Sequence, residues 1–365
     1  MIYLDNGATS FPKPAAVKRA MLEVMDRCAN PGRGGHKPAM EAAETVYRCR
    51  EEAGHFFHCP PERVVFTHSC THGLNIAICS LVKSGDQVVI SGFEHNAVTR
   101  PLHALGAGIT VAGRRLFDRN DTLEQFEKAL KNGAKAAVFT HISNVFGYIL
   151  PVAEMAELCR RYDVTFVIDA AQSAGIVDID FEKLGASFVA MPGHKGLLGP
   201  MGTGVLLCGQ LPEPLLSGGT GSMSLEQTMP DFLPDRAEAG TLNVPGIAGL
   251  MAGIREVRKL GTEKILARQQ RQTKRCAEAL RAMGCVVFTG ADQGGTLSFL
   301  PGTDCEEMAQ RLAQKGVAVR AGLHCAPLAH ESAGTLSGGT VRISFGHDAS
   351  DTQTAQFLQI MRKLS

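Results

Sequence analysis

A carboxylate and a lysine occupy two segments that could support covalent chemistry on an amine. The segment VTFVIDAAQSAG predicts an apolar strand ending at Asp169, with Gln172 three residues later. A carboxylate at the end of a buried strand is costly unless it meets a cation. Lys195 follows 26 residues later among the glycines of GHKGLLGPMGTG, where burial would lower its pKa and make it a nucleophile. Taken alone, Asp169 is more simply interpreted as a helix cap or as one partner of an internal salt bridge. Lys195 taken alone is more simply interpreted as a solvated lysine in a loop.

Together these residues predict a site for pyridoxal phosphate. That cofactor requires a lysine for a Schiff base and an acid beside its pyridinium nitrogen. It also requires donors for its phosphate. The segment VVFTHSCTHGLNIA offers a strand, a polar turn and a helix start, at which Ser69 and Thr71 would face an anion. His194, next to Lys195, is a further candidate donor.

The same turn has an alternative interpretation as a metal site. His68, Cys70 and His72 alternate over five residues, which suits one face of a strand. A turn entering a helix would splay these side chains, and no other ligand group is near in the sequence. We therefore favour the phosphate interpretation, and we attribute HFFHC at 55–59 to packing at a helix end.

The elements that must position these residues alternate between strand and helix patterns from about residue 36 to 210. Apolar runs predict strands at 63–67, 87–91, 135–141, 164–169, 187–191 and 204–208. Helical periodicity covers 39–57 and 151–162, with Pro151 at the first helical position. This alternation predicts an α/β domain with a mainly parallel sheet, and ligands bind beyond the carboxyl ends of such strands.

The pattern changes after Gly240. One long helical stretch is predicted at 245–283. Shorter segments follow at 296–299, 305–314, 317–320 and 340–345, and a final helix begins with a capping box of Ser350 and Gln353. We expect an N-terminal segment of residues 1–15 packed with the small domain, a large domain of residues 16–245, and a small α+β domain of residues 246–365.

Composition excludes several classes of protein. The 37 basic and 36 acidic side chains give a formal net charge of +1, which argues against nucleic-acid and membrane-surface partners. The 11 cysteines are scattered and form no CxxC pair, which is typical of free thiols in a reducing cytoplasm. The start MIYLDNGATSFPKP is not a signal peptide, and no apolar run reaches the roughly 18 residues of a membrane span.

Six motifs in order carry a resemblance that covers essentially the whole chain. They are FEHNAV, HISNVFG, VIDAAQSAG, GHKGLLGPMGTG, AEAGT and VRAGLHCAP, between YLDNGATSFPKP at the start and TVRISFG near the end. The chain resembles the cysteine desulfurase family of class V aminotransferases, and within it the group II, Suf-type branch. The resemblance implies the fold type I architecture of pyridoxal phosphate enzymes.

The resemblance implies a role at the cofactor for each matching residue. Lys195 would bind the cofactor covalently, and Asp169 would keep its pyridinium nitrogen protonated. Gln172 would donate to the phenolic oxygen. His95 would stack on the ring and assist proton transfers, while Asn144 would lie near the substrate carboxylate or the ring oxygen.

The phosphate would be bound from both subunits of a homodimer. Ser69, Cys70, Thr71 and His194 would form the cup in one subunit, and Thr241 in AEAGT would reach the phosphate of the partner subunit. The family often has a serine two residues before the His-Lys pair, but this chain has Pro192 there. One hydroxyl is thereby lost from the cup.

Arg342 would clamp the substrate carboxylate. In TVRISFG its side chain alternates with those of Val341 and Ile343, and arginine suits bidentate binding of a carboxylate. Arg33 and His36, in GRGGHKPA, would line the substrate entrance.

Cys325 would be the nucleophile, although any single cysteine is more simply a structural thiol. Arg320 and His324 lie close in sequence, and nearby cations would lower the thiol pKa. L-Cysteine would become L-alanine, with its sulfur passing to Cys325 as a persulfide, and loop mobility would present that sulfur to an acceptor protein.

Three alternatives remain open at this point. A selenocysteine lyase would use the same cofactor on L-selenocysteine, and another β-lyase would release pyruvate instead of alanine. A non-catalytic thiol- or metal-binding protein is the alternative from a different class. This non-catalytic alternative gives the pairing of Asp169 with Lys195 no role.

Overall fold

Helices and strands alternate along most of the chain. A computed structural model describes residues 1–32 and 34–364. The helices are α1 Ala15–Arg27, α2 Lys37–Phe57, α3 Cys70–Leu81, α4 Asn96–Ala104, α5 Arg119–Lys131, α6 Val152–Tyr162, α7 Phe181–Leu184, α8 Val244–Leu260, α9 Thr262–Ala282, α10 Cys305–Gln314, α11 Pro327–Ala333 and α12 Asp351–Leu364.

The strands follow the apolar runs of the sequence. They are β1 Ile2–Tyr3, β2 Val64–Thr67, β3 Gln87–Ser91, β4 Gly108–Ala112, β5 Ala136–Thr140, β6 Thr165–Asp169, β7 Phe188–Pro192, β8 Gly204–Cys208, β9 Val286–Phe288, β10 Thr296–Leu300, β11 Val317–Ala318, β12 Arg320–Gly322 and β13 Thr340–Ser344. The six strands predicted between residues 63 and 208 are all present, with ends shifted by one residue at most, and β4 was not predicted.

Seven strands form a central sheet in the order β2-β8-β7-β6-β5-β3-β4. β8 runs antiparallel to β2 and β7, and the other pairs are parallel. Successive residues enter different apolar clusters on the two faces: Phe139 and Ile168 on one, Val138 and Val167 on the other. Burial on both faces explains the continuous apolar runs. The predicted α/β class with a mainly parallel sheet is confirmed.

A second, antiparallel sheet has the order β12-β13-β10-β9. Leu297, Val341 and Phe357 belong to its own apolar cluster, which also includes Leu4 from the N-terminal segment. β1 pairs in parallel with β11, so this segment lies against the C-terminal part of the chain. The domain limits at residues 15 and 245 remain predictions.

Three local predictions were wrong. The stretch 245–283 is not one helix, because Gly261 adopts a φ of +81° between α8 and α9. The stretch 317–320 is divided between β11 and β12, which belong to different sheets. Pro151 precedes α6 as its cap and is not its first helical residue.

The predicted start of the last helix is supported by one bond, from the Gln353 amide to Ser350 Oγ at 3.2 Å. Among the described residues, no helix has the length and apolar character needed to cross a membrane.

Candidate active site

Lys195 and Asp169 meet at the carboxyl edge of the central sheet. Asp169 is the last residue of β6 and is 2% exposed, and Lys195 follows the end of β7 by three residues. The two line one cleft together with His95, Gln172 and Thr71. Burial lowers the pKa of Lys195, and the charge of Asp169 opposes this effect. A lowered pKa increases the fraction of free amine, which is the nucleophilic form.

Cys70 is a hydrogen-bond donor in this cleft. Its Sγ lies 3.4 Å from Asp169 Oδ1, which also accepts the amide of Ala171 at 2.8 Å. Burial, and then the charge of Asp169, raise the pKa of the Cys70 thiol well above its usual value. This thiol therefore stays protonated and is not a nucleophile. Among the described residues, both contacts of the Asp169 carboxylate involve Oδ1, so Oδ2 remains available to a ligand.

His95 has a defined tautomer. It caps α4, and its Nδ1 accepts the amide of Ala97 at 3.0 Å. The proton of the neutral ring must then reside on Nε2. Burial lowers the pKa of His95, so the ring is neutral near pH 7. The His95 ring can therefore donate a hydrogen bond from Nε2–H, and it carries no charge.

The start of α3 lies at one end of the cleft. Ser69 caps this helix by accepting the His72 amide at 3.2 Å, and Thr71 lies exposed in the first turn. His68 and His72 stack with ring centroids 5.1 Å apart. Within residues 1–32 and 34–364, no group of three or more His, Cys, Asp or Glu side chains is placed to hold a metal ion.

His194 links the cleft to the N-terminal segment. Its Nδ1 lies 3.1 Å from Thr9 Oγ1, and its carbonyl accepts bonds from Thr9, Ser10 and Lys13. Burial, and then the charges of Lys195 and Lys13, lower the pKa of His194 to about 4. The ring of His194 is therefore neutral near pH 7.

Cys325 is the exposed thiol among the described cysteines; the others are buried or half-buried. Its carbonyl accepts the amide of Asn96 at 2.8 Å, and the carbonyl of His324 accepts Asn144 Nδ2 at 2.8 Å. His324 and Cys325 have φ values of +50° and +56°. This left-handed turn is costly for residues with a Cβ. The carbonyls of both residues of the turn are hydrogen-bonded to Asn96 and Asn144, and the mobility of this loop remains a prediction.

His324 is not the cation that the sequence predicted beside Cys325. Burial, and then the charge of Arg342, lower the pKa of His324 to about 2. The ring is therefore neutral, and Arg320, whose side chain is 52% exposed, remains as the neighbouring cation.

Arg342 is 3% exposed and is held on two sides. Nη1 donates to the Asn144 carbonyl at 3.0 Å, and Nη2 donates to Asp5 Oδ1 at 2.9 Å. Nε is buried and has no hydrogen-bond partner within residues 1–32 and 34–364. Gln172 is similarly engaged, since its Nε2 donates to the Gly7 carbonyl at 2.9 Å. The N-terminal segment therefore helps to fix the side-chain positions of two residues that the sequence assigned to ligand binding.

Similarity to known proteins agrees with this geometry. The aminotransferase class-V family model matches residues 2–357. A probable cysteine desulfurase of Methanothermobacter thermautotrophicus is 33% identical over 363 residues, which covers 94% of this chain and 89% of the relative. One from Pyrococcus abyssi is 32% identical over 390 residues, with coverage of 100% and 94%. The chain belongs to the cysteine desulfurase family.

Solved structures of cysteine desulfurases share the architecture. The apo structure from Thermococcus onnurineus NA1 matches with a TM-score of 0.91 at 32% identity, covering 100% of this chain and 94% of that one. The Escherichia coli structure, 23% identical with a TM-score of 0.87, covers 99% of this chain and 94% of its own and shows the same fold. The resemblance inferred from the six motifs is therefore confirmed.

Three further residues that the sequence assigned to the site, in AEAGT and GRGGHKPA, lie away from the Lys195 cleft or cannot be placed. Thr241 is exposed and lines a groove beside Asn30 and Arg50 of its own chain. His36 is exposed before α2 and is not among the residues that line the Lys195 cleft. Arg33 lies outside the described residues.

A buried ion pair supports the segment that carries Thr241. Arg50 Nη1 donates to Glu238 Oε1 at 2.8 Å, and a second bond joins Arg50 Nη2 to Oε2. The Phe66 amide, in β2, donates to the same carboxylate. Glu238 thus ties the AEAGT segment to the central sheet. Its sequence signal was its place inside the AEAGT motif, as the second residue.

Glu94 is a buried residue that the sequence reasoning missed. It is fully buried beside His95, accepts the Thr140 amide at 2.9 Å and is also bonded to the Ser91 hydroxyl. Burial raises its pKa to about 8, and the hydrogen bonds from Ser91 and Thr140 oppose this. Its sequence signal was a charged residue three positions after the end of an apolar strand, in FEHNAV.

Replacing Glu94 with Gln is expected to change how stability depends on pH. The folded protein keeps the carboxyl proton up to about pH 8, whereas the unfolded chain releases it near 4.5. The contribution of Glu94 is therefore full below about pH 4.5 and is lost as the pH rises, by up to about 1.4 kcal/mol per pH unit. Denaturant unfolding of both proteins between about pH 5 and 8 should show the wild type losing stability relative to the variant. A difference that stays constant, or reverses, would contradict this.

Proposed function

We propose that this protein is a pyridoxal phosphate-dependent cysteine desulfurase that converts L-cysteine to L-alanine and leaves a persulfide on Cys325. The observation that carries the proposal is the connection between an exposed thiol and a buried lysine site. Asn144, a residue of the Lys195 cleft, donates to the carbonyl of His324, and Asn96, next to His95, donates to that of Cys325.

The residues of the cleft fit the cofactor. Lys195 supplies the amine for its aldehyde, and Asp169 supplies a buried carboxylate with Oδ2 free among the described contacts. Thr71 and His194 add donors near the start of α3, where an anion is favoured. When bound, the cofactor supplies an electron sink for charge that develops on the substrate α-carbon.

The residues of this chain then have distinct tasks. Arg342 binds the substrate carboxylate, which orients the α-carbon and the β-sulfur. Lys195 Nζ, with its lowered pKa, accepts and returns the α-proton. His95 remains neutral and donates from Nε2. The Cys325 thiolate attacks the β-sulfur, the Cβ–S bond breaks, and the β-carbon takes up a proton. One thiol and one cysteine thus become one persulfide and one alanine.

A homodimer and a sulfur acceptor complete the proposal. Thr241 is exposed on its own subunit, which suits a residue that reaches the phosphate of a partner subunit. Cys325 is exposed as well, so a second protein can approach its sulfur. Because the Cys325 side chain is already exposed, an acceptor can reach its sulfur while the hydrogen bonds of the turn stay in place.

Product analysis tests the function directly. Holoenzyme supplied with L-cysteine and a thiol reductant should release alanine and sulfide in equal amounts and no pyruvate. Pyruvate as the main product would favour a β-lyase. Turnover of L-selenocysteine without turnover of L-cysteine would favour a selenocysteine lyase and would overturn the proposal.

A further inference from the structure

The carbonyl oxygen of His194 is approached by more hydrogen-bond donors than it has lone pairs. The Ser10 amide lies 3.0 Å from it, Lys13 Nζ 2.7 Å, Thr9 Oγ1 3.0 Å and Ser10 Oγ 3.1 Å. A carbonyl oxygen has two lone pairs, so these donors compete for it. The peptide bond concerned joins His194 to Lys195, and all of the donors belong to the N-terminal segment.

Thr9 is the donor that can leave this carbonyl, because its hydroxyl has a second acceptor. Thr9 Oγ1 also lies 3.1 Å from His194 Nδ1, and the hydroxyl has one proton for the two positions. Burial lowers the pKa of Lys13 to about 8, so its amine is still mostly an ammonium at pH 7. Bonds from a charged donor are the stronger ones. Lys13 and Ser10 therefore fill the carbonyl, which leaves the Thr9 proton for Nδ1.

The bond from Thr9 decides which nitrogen of the His194 ring is protonated. The ring is neutral near pH 7, and a neutral ring whose Nδ1 accepts a hydrogen bond must carry its proton on Nε2. Nε2 has no hydrogen bond to another described residue, and His194 lines the cleft beside Ser69 and Thr71. In this tautomer the ring can donate to an anion at the start of α3. The opposite tautomer would present a lone pair there, which repels an anion.

We propose that Thr9 is a positioning residue that keeps the proton of the neutral His194 ring on Nε2, so that the ring donates to the cofactor phosphate. Lys13 and Ser10 act together with Thr9, because they occupy the carbonyl to which its hydroxyl would otherwise donate. The inference rests on the proposed function in one respect, that pyridoxal phosphate binds in this cleft with its phosphate at the start of α3. It adds that the N-terminal segment sets the tautomer of a phosphate-binding residue.

Nitrogen NMR of the isotope-labelled holoenzyme tests the tautomer directly, because it distinguishes a protonated ring nitrogen from an unprotonated one. The chain has 12 histidines, and the signals of His194 are those lost in His194→Asn. The wild type should show a protonated Nε2 and an unprotonated Nδ1. In Lys13→Met the carbonyl regains a lone pair for Thr9, so part of the proton population should move to Nδ1. A wild-type ring protonated on Nδ1, or on both nitrogens, would overturn the inference.

Ligand binding separates this role from simple anchoring of the N-terminal segment. Pyridoxal and pyridoxal phosphate differ by the phosphate, and calorimetry on the full chain freed of cofactor measures the Kd of each. Thr9→Val removes the hydroxyl at nearly constant side-chain volume, and it should weaken pyridoxal phosphate roughly three- to tenfold more than pyridoxal. Thr9→Ser should restore the wild-type ratio of the two Kd values. Thr110→Val is the matched control, since Thr110 lies at an exposed position of β4.

Anchoring alone gives a different pattern. Both ligands would then weaken by the same factor in Thr9→Val, and this outcome would contradict the proposed role of Thr9. If the tautomer and the ratio are as expected but L-cysteine yields no alanine, the inference stands and the proposed function fails. If alanine is formed but the proton of His194 lies on Nδ1, the function stands and the inference fails. Should Thr9→Val not fold, the spectra of the wild type and of Lys13→Met decide.

Discussion

Replacing Cys325 with alanine is expected to reduce alanine formation from L-cysteine at least about 100-fold, because the variant has no thiol to attack the substrate sulfur. The midpoint of thermal unfolding should change by about 2 °C or less, since the side chain is exposed and alanine faces the same left-handed backbone cost as cysteine. Steady-state alanine assays and thermal scans of the holoenzyme provide both measurements.

A second thiol variant controls for general effects of removing a cysteine. Cys79, half-buried at the end of α3, is not among the residues that line the cleft, and Cys79→Ala should keep wild-type turnover. L-Selenocysteine adds a further comparison, because selenium leaves more readily and its release can proceed without Cys325. Full turnover of L-cysteine by Cys325→Ala would show that the proposed nucleophile is wrong.

Lys195→Ala is expected to abolish turnover of L-cysteine and of L-selenocysteine. It is also expected to remove the absorbance band at about 420 nm that marks a pyridoxal Schiff base. The expected effect is large because the proposed mechanism makes Lys195 both the covalent attachment point and the base for the α-proton. The fold should persist, since removal of a buried amine also removes its desolvation cost. Absorbance spectra, together with phosphate content after gel filtration, measure the loss.

Lys183→Ala is the matched control for this variant. Its amine is 84% exposed, pairs with Asp180 and lies outside the cleft, so its absorbance and turnover should equal those of the wild type. Retention of the band in Lys195→Ala would place the cofactor on another lysine. A colourless wild-type protein would favour the non-catalytic alternative instead.

Much of the fold could be predicted from the sequence because its determinants are local. The central strands are runs of Val, Ile, Ala and Phe that are buried on both faces, and such runs are recognisable without knowledge of their partners. Asp169 and Lys195 could be paired because Asp169 ends β6, Lys195 follows β7, and the carboxyl ends of these two parallel strands meet at one edge of the sheet. The helix break at Gly261 was missed because the amphipathic pattern continues on both sides of it.

The sequence alone therefore determined six of the seven central strands and singled out Lys195, Asp169 and Cys325 as the candidate lysine, acid and thiol. Only the tertiary structure decided the charge states and the partners around them. Asp5 meets Arg342 across 337 positions of sequence, so no local pattern could show the pair. His324 looked like a cation beside Cys325 but is neutral, because packing against β13 removes it from water. Burial sets the charge of such groups, and burial depends on contacts between segments distant in sequence.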